Sequence, residues 1–296
     1  MRGEQHSPDE RWTAPDLRDR IALVSGASYG IGRGVAEVLG ECGTTVYVTG
    51  RTTRAVATPD RPWSIDETAE LVSAAGGKGV PLRCDHRSDA DVDRLVAQIT
   101  EGPGRLDLLI NNVWAWQDSL AESVPVWEEP LGRWDDMFGT GVRGHYTTTR
   151  AALPLLLRSK AALIVHTATG FASPPPPPFE PVPVVGSLVY ELASRTLDAL
   201  AAALARRLRH HGVAVVSVHP GWPRSVNMMR ITRGMDDAQR RTFIEQTESA
   251  QFAARGIAML AADSQRLARS GGAFSSAQLA ELYGFTDTDG RTSGGV

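Results

Sequence analysis

Short runs of β-branched and aliphatic residues alternate along this chain with longer Ala-, Leu- and Arg-rich stretches whose apolar positions recur with a helical period. That alternation is the pattern of repeated βαβ units, and it predicts a doubly wound parallel sheet of the Rossmann-like α/β class. Strands are expected at Ile21–Ser25, Thr45–Thr49, Gly79–Cys84, Leu106–Asn111, Ala162–Thr167 and Val213–His219, with a seventh near Ser270–Phe274. Helices are expected over Ile31–Cys42, Ile65–Ala75, Ser88–Ile99, Leu131–Arg158, Val189–His211 and roughly Asp237–Ala262. In Val189–His211 the residues Leu192, Thr196, Leu197, Leu200, Ala203 and Leu204 form an expected sheet-facing stripe. Arg206, Arg207 and Arg209 near its end complement the negative pole of the helix dipole.

The chain's 296 residues, 42% of them hydrophobic, suffice for one large domain whose sheet is buried on both faces. Residues 1–19 read as an N-terminal extension and 20–296 as a single domain, in which a C-terminal region at about 222–262 lies over the substrate. A proline-rich loop at 173–183, with Pro174–Pro178, Pro181 and Pro183, is stiff and extended and can join neither a helix nor a central strand. A net charge of −3 gives no field that gathers nucleic acid or an anionic membrane, so the expected partner is a small molecule. The first nineteen residues lack the apolar core of a secretory signal and no stretch is long enough to span a bilayer, which points to the cytoplasm. In that reducing compartment Cys42 and Cys84 are expected as small buried thiols. No metal site is expected.

The strongest local signal is Ser25-Gly26-Ala27-Ser28-Tyr29-Gly30-Ile31-Gly32, set between an apolar strand and a helix. Gly26 suits a tight turn, Gly30 lets the backbone approach a phosphate, and Gly32 lets helix and sheet pack closely. Gly26, Ser28, Tyr29, Gly30, Ile31 and Gly32 are therefore candidates to hold a dinucleotide. The second strand ends in Thr49-Gly50-Arg51-Thr52-Thr53, without the carboxylate that an NAD site offers to the ribose. Arg51, with Arg33 on the facing helix and also Arg54, offers instead a guanidinium fork for a 2′-phosphate, so NADP(H) is expected in preference to NAD(H). Read as solvated surface charges, the same arginines carry no preference, and NAD(H) stays open.

These motifs together resemble the short-chain dehydrogenase/reductase family, from about Leu17 to the end of the chain. The resemblance implies that Asp85, with His86 beside it, meets the adenine ring. It implies that Asn111-Asn112-Val113-Trp114 stands for the family's Asn-Asn-Ala-Gly, with Asn111 and Val113 at the cofactor, and that Pro220-Gly221, followed by the hydroxyl of Ser225, passes beneath the nicotinamide. Within the family, Trp134-Asp135-Asp136, Gly141–Tyr146 and the tail from Tyr283-Gly284-Phe285 to Asp289-Gly290-Arg291 are similar to the branch called dehydrogenase/reductase family member 1.

The catalytic positions depart further from the family. The resemblance gives Tyr190 the role of exchanging the proton on the substrate oxygen while hydride moves to or from the nicotinamide, and Thr169 that of binding the oxygen. Four residues beyond Tyr190, where the family has a lysine that lowers the tyrosine's pKa, stands Ser194, one turn along the same helix face and uncharged. Arg195 is rotated by about 100 degrees around the helix and is a poor substitute. A phenol near its reference pKa of about 10 is a weak base but a usable acid, so reduction of a carbonyl suffers less than oxidation of an alcohol. The family's helix-borne asparagine, which anchors a relay water, aligns with Gly141. His166, one step inside a central strand, more naturally faces a neighbour than the substrate.

The proline-rich loop between Thr169 and Tyr190 is longer than the family spacing and is expected to reshape access to the site. Trp114, Trp116, Phe171, Phe179 and Trp222 follow strands on the carboxyl side of the sheet, where they either line an apolar, aromatic pocket or pack loops onto the core. Three functions fit: an NADP(H)-dependent carbonyl reductase acting on an apolar ketone or aldehyde, a non-redox dehydratase, isomerase or cyclase on the same fold, and a cofactor-binding protein without catalysis. The resemblance also implies a homodimer or homotetramer built through the two long helices.

Overall fold

The computed structural model describes residues 12–56, 63–115, 125–169, 187–224 and 235–292. Its centre is one parallel seven-stranded sheet of β1 (Ile21–Val24), β2 (Thr45–Gly50), β3 (Lys78–Arg83), β4 (Leu108–Asn111), β5 (Leu163–Thr167), β6 (Ala214–His219) and β7 (Ala273–Ser275). The strand order β3-β2-β1-β4-β5-β6-β7 reverses direction between β1 and β4, and a crevice opens at such a switch point beyond the carboxyl ends of the strands. The expected α/β class is what the chain adopts.

The helices are α1 (Gly30–Glu41), α2 (Ile65–Ala74), α3 (Asp89–Glu101), α4 (Gly132–Asp136), α5 (Arg143–Leu156), α6 (Leu188–Leu208), α7 (Asp237–Gln246), α8 (Ala250–Ala262) and α9 (Ser276–Tyr283). Strand side chains alternate between two cores. Ala22, Val24, Val46, Val48, Ile110 and Val165 pack with α1, α2, α8 and α9, while Leu23, Tyr47, Leu109, Ile164 and Val215 pack with α3, α5 and α6. Both faces being covered explains why the inner strands β1 and β4 are buried and apolar almost end to end, while edge strand β3 keeps Lys78 and Arg83 exposed.

Four expectations need correction. The helix expected over Leu131–Arg158 is interrupted by a π-helical segment, Met137–Val142, where an extra residue per turn swings Gly141 toward the β4 loop. The helix expected over Asp237–Ala262 breaks at Thr247-Glu248-Ser249, because Ser249 caps α8 by accepting the Phe252 N–H and Glu248 leaves the helical path to bridge to Pro223. The stripe of α6 that faces the sheet is Ala193, Ser194, Leu197, Ala201, Ala205 and Leu208, whereas Leu192 stays exposed. Small residues win that face because they let the helix lie close to the strands. Helix α9 has no counterpart among the expected elements, and β7 begins three residues later than its expected start.

Residues 12–19 run as a strap across the end of α1. The Trp12 indole donates to Glu41 at 3.1 Å and meets the Phe285 ring edge-on at 6.2 Å, and the Leu17 N–H donates to the Cys42 carbonyl. Cys42 and Cys84 are free, buried thiols, and burial pushes both up to about 12. Among the described residues no helix is long and apolar enough to cross a membrane, and none of the His, Cys, Asp and Glu side chains form a metal cluster. The proline-rich loop lies outside the described residues, as does part of the 222–262 region.

Candidate active site at the carboxyl edge of the sheet

The glycine-rich turn after β1 is clamped from the side by the segment after β4. Asn112 Nδ2 donates to the carbonyls of Ser25 and Gly26 at 3.2 and 3.1 Å, and the backbone N–H groups of Asn112 and Val113 donate to Ser25 Oγ at 2.9 and 3.1 Å. Gly26 has φ +65 and Gly30 φ +63, a region costly for residues with a Cβ. A Cβ on Gly26 would stand 2.9 Å from Val113 Cα, and one on Gly32 2.5 Å from both Asn112 Nδ2 and the Gly26 carbonyl oxygen. A Cβ on Gly30 would meet nothing within 4 Å among the described residues, so the turn is tight on its inner side and, among those residues, open on its outer side. Ser25 and Asn112 are clamp residues that sequence reasoning left out; the Asn-Asn pair was visible, but its second member's reach back to β1 was not.

Helix α1 starts in this turn, and its N-cap residue Tyr29 gives no side-chain hydrogen bond to it. By contrast Ser64, Ser88, Ser187, Asp236, Ser249 and Ser275 cap α2, α3, α6, α7, α8 and α9. No acidic residue occupies the first turn of α1. Its leading N–H groups and positive pole are thus left for an anion, with Ile31 and half-buried Gly30 at the rim and Ser28 buried below.

On the β2 side the arginines separate. Arg51 is exposed and makes no ion pair among the described residues, whereas Arg33 pairs with Glu37 at 2.9 Å and Arg54 with Glu70 at 2.6 Å. Asp85 is gripped by Arg87, whose guanidinium, helped by Arg51 farther off, holds the carboxyl below its ordinary range. His86 is buried, with Nε2 2.9 Å from Thr49 Oγ1 and Nδ1 2.8 Å from Thr148 Oγ1, so its ring ties β2 to α5. Burial lowers its pKa to about 4.

Beyond β5 the structure brings Thr169, Tyr190 and Ser194 together. Thr169 Oγ1 is 2.6 Å from the Tyr190 hydroxyl, and the Thr169 N–H donates to Ser194 Oγ at 3.4 Å. Ser187 fixes the start of α6 by accepting the Tyr190 N–H at 3.2 Å, and its own hydroxyl donates to buried Glu129, which pairs with Arg133. Burial raises the Tyr190 phenol above its ordinary value, and the Thr169 hydrogen bond offsets this only in part. Arg195 turns away to pair with Glu191 at 2.7 Å on the exposed side of α6. No cation of the described residues takes the place of the family lysine.

Trp114 stands edge-on to the Tyr190 ring at 5.5 Å. A Cβ on Gly141 would come within 2.5 Å of the Trp114 ring, so the indole fills the room that any larger residue at 141 would need. Trp114 and Gly141 therefore fit each other, the large ring against the residue without a Cβ. Asn111 is fully buried and donates to Thr149 Oγ1 at 2.9 Å. His166 is fully buried against His145, with ring centres 5.4 Å apart and a pKa lowered to about 4 by burial.

Pro220 and Gly221 follow directly on the carboxyl end of β6. The Gly221 N–H donates to Glu248 Oε1 at 2.8 Å, a partner that sequence reasoning missed because it sits in the break between α7 and α8. Ser225, Trp116, Phe171 and Phe179 lie outside the described residues.

Compared with known proteins, residues 20–236 match the family model described as short chain dehydrogenase. Dehydrogenase/reductase SDR family member 1 of Mus musculus is 32% identical over 287 residues, covering 93% of this chain and 85% of that protein. Among solved structures, a short chain dehydrogenase from Mycobacterium thermoresistibile has a TM-score of 0.75 at 22% identity, with 94% of each chain covered. A dehydrogenase/reductase from Sinorhizobium meliloti 1021 has a TM-score of 0.70 at 24% identity, covering 88% of this chain and 94% of that one. These structural likenesses concern the fold.

Proposed function

This chain belongs to the short-chain dehydrogenase family, and we propose that it is an NADPH-dependent reductase of a carbonyl on an apolar or aromatic small molecule. The observation that carries this reading is the 2.6 Å pair of Thr169 and Tyr190, with the phenol held in its neutral form by burial. A neutral phenol is an acid at any physiological pH, which is what reduction of a carbonyl requires.

The residues present fit a dinucleotide: the open face above Gly30 and the uncapped first turn of α1 suit its pyrophosphate, with Arg51 at the adenosine ribose and Pro220-Gly221 beneath the nicotinamide. When bound, the cofactor supplies the hydride. Thr169 Oγ donates a hydrogen bond to the substrate carbonyl oxygen and orients it, and Tyr190 Oη gives that oxygen its proton as negative charge develops. The hydroxyl of Ser194 supports the Thr169 backbone but brings no charge to the phenol. Trp114, Phe138, Val142, Val189 and Tyr190 pack together on buried Met137 and Ala193, an apolar surround that suits an apolar substrate.

A fluorescence titration with NADPH and NADH, followed in the same sample by a panel of apolar ketones and quinones, tests the proposal. Saturable binding followed by NADPH oxidation is the expected result. Binding without oxidation would favour a non-redox reaction on the same fold, a reading that the replacement of lysine by Ser194 supports. Exposed Arg51 provides the phosphate preference, so Arg51→Ala is expected to weaken NADPH about tenfold, the worth of one charge-assisted hydrogen bond, while leaving NADH affinity unchanged. Equal affinities of the unaltered protein for the two cofactors would remove the preference. Tyr146 on α5 and Leu188 and Leu192 on α6 are exposed, which supports a homodimer or homotetramer through these helices; light scattering at a single-chain mass would overturn it.

A further inference from the structure

Glu248 is the most unusual acid in the described structure. It lies in the break between α7 and α8 and is only 6% exposed, yet no cation is devoted to it. Oε1 accepts from the Gly221 N–H at 2.8 Å and from Ser276 Oγ at 2.7 Å. Its backbone N–H donates to the Trp222 carbonyl and its carbonyl accepts from the Arg224 N–H, so residues 221–224 are fastened to it on both sides. A Cβ on Gly221 would stand 2.8 Å from Oε2, so this oxygen lies directly against the Gly221 backbone, and it has no hydrogen-bond partner among the described residues.

The charged groups that face it come from two elements. Arg224 on the loop is engaged elsewhere: Nη2 pairs with Asp287 at 3.2 Å and Asp289 at 3.1 Å, and Nη1 donates to the Thr247 carbonyl. Asp287, on the segment after α9, adds like charge. From α9 itself comes only the neutral hydroxyl of Ser276.

We propose that Glu248 is a positioning residue for the cofactor, holding the Pro220–Arg224 turn from beneath and placing behind it a negative charge with no ion pair among the described residues, which favours the oxidised nicotinamide over the reduced one. The inference rests on the reading that Pro220-Gly221 runs under the nicotinamide. An oxidised nicotinamide ring is cationic and a reduced one is neutral, so a buried carboxylate on the far side of a single glycine discriminates between them by charge alone. Burial, with Asp287 adding to it, raises the Glu248 carboxyl to about 7, so the discrimination is present above that pH and fades below it. The reverse coupling holds as well: the cationic ring draws the proton off Glu248, and reduction lets it return.

The test compares the dissociation constants of NADP+ and NADPH between pH 6 and 8 in the full-length protein and in Glu248→Gln. Glutamine keeps the acceptor for Gly221 and Ser276 and removes the charge. In the unaltered protein the ratio of the NADP+ constant to the NADPH constant is expected to fall several-fold from pH 6 to 8, and in Glu248→Gln to stay flat. The 2′-phosphate titrates in both cofactors and cancels in the ratio. Thermal melting provides a readout free of cofactor. Because the raised carboxyl favours the folded state below its ordinary value and loses that advantage as pH rises through 7, Glu248→Gln is expected to melt higher than the unaltered protein at pH 8 and to lose the slope between pH 6 and 8. A ratio that is flat in the unaltered protein, or that slopes equally in the variant, overturns the inference while leaving cofactor binding intact. Failure to bind either cofactor at any pH overturns the functional reading and this inference with it.

Discussion

Replacing Tyr190 with phenylalanine is expected to lower carbonyl reduction by about 10²- to 10⁴-fold, the usual worth of a positioned proton donor, with NADPH affinity changed less than twofold. The substitution removes one oxygen from a ring otherwise held by Trp114 and the α6 backbone, so the pocket keeps its shape and only the proton is lost. Single-turnover measurement of NADPH oxidation separates this from a binding defect. A loss of less than threefold would show that Tyr190 is not the acid. The pH profile carries a second signature. With the phenol raised by burial and no lysine beside it, reduction by Glu248→Gln, which lacks the carboxyl that titrates at about 7, should be flat from pH 6 to 9 and decline only above 10, and the reverse oxidation should climb across the same range. His145 and His166 do not disturb this window, because burial keeps both neutral there.

Restoring the family's asparagine at position 141 is expected to damage the protein. Gly141→Asn drives a side chain into the Trp114 ring, where even a Cβ would sit at 2.5 Å, and overpacking of this kind costs about 1–3 kcal/mol or more. The neighbours are confined: Met137 is fully buried on the same π-helical segment, and Tyr190 bounds the indole on its other side. Displacing Trp114 moves the wall against which Tyr190 rests, so activity should fall together with stability. Combining Gly141→Asn with Trp114→Ala should recover part of both losses, with a coupling energy of roughly 0.5–3 kcal/mol in a double-mutant cycle by urea denaturation. Simple additivity of the two changes would show that they are independent departures and not one exchange of an indole for an asparagine.

This coupling bears on how the site works without its lysine. In the family pattern the lysine and the helix asparagine belong to one proton path, and the proposed reading puts Ser194 and Gly141 in their places. The volume next to Tyr190 is occupied by an aromatic ring. A dry, apolar surround destabilises a tyrosinate and favours the neutral acid, which agrees with the proposed direction of the reaction.

What the sequence determined by itself is everything that depends on neighbours along the chain. Apolar runs and helical periods placed the strands and most of the helices, because burial on both faces of a parallel sheet leaves a continuous apolar signature. The glycine turn was legible because the φ angles of Gly26 and Gly30 are local requirements, and Tyr190 and Ser194 were legible as one face of one helix. Tertiary structure decided what depends on residues distant in the chain. Asn112 holding Ser25 and Gly26, Trp114 filling the space over Gly141, and Glu248 under Gly221 are contacts that no window of sequence contains. It also decided which side of α6 faces inward. Ala193, Ser194 and Ala201 take that side over the larger Leu192, since close approach to the strands rewards small volume over hydrophobicity. Local physics selects elements from a small menu, while the chemistry of the site depends on distances of a few tenths of an ångström that only the packed whole sets.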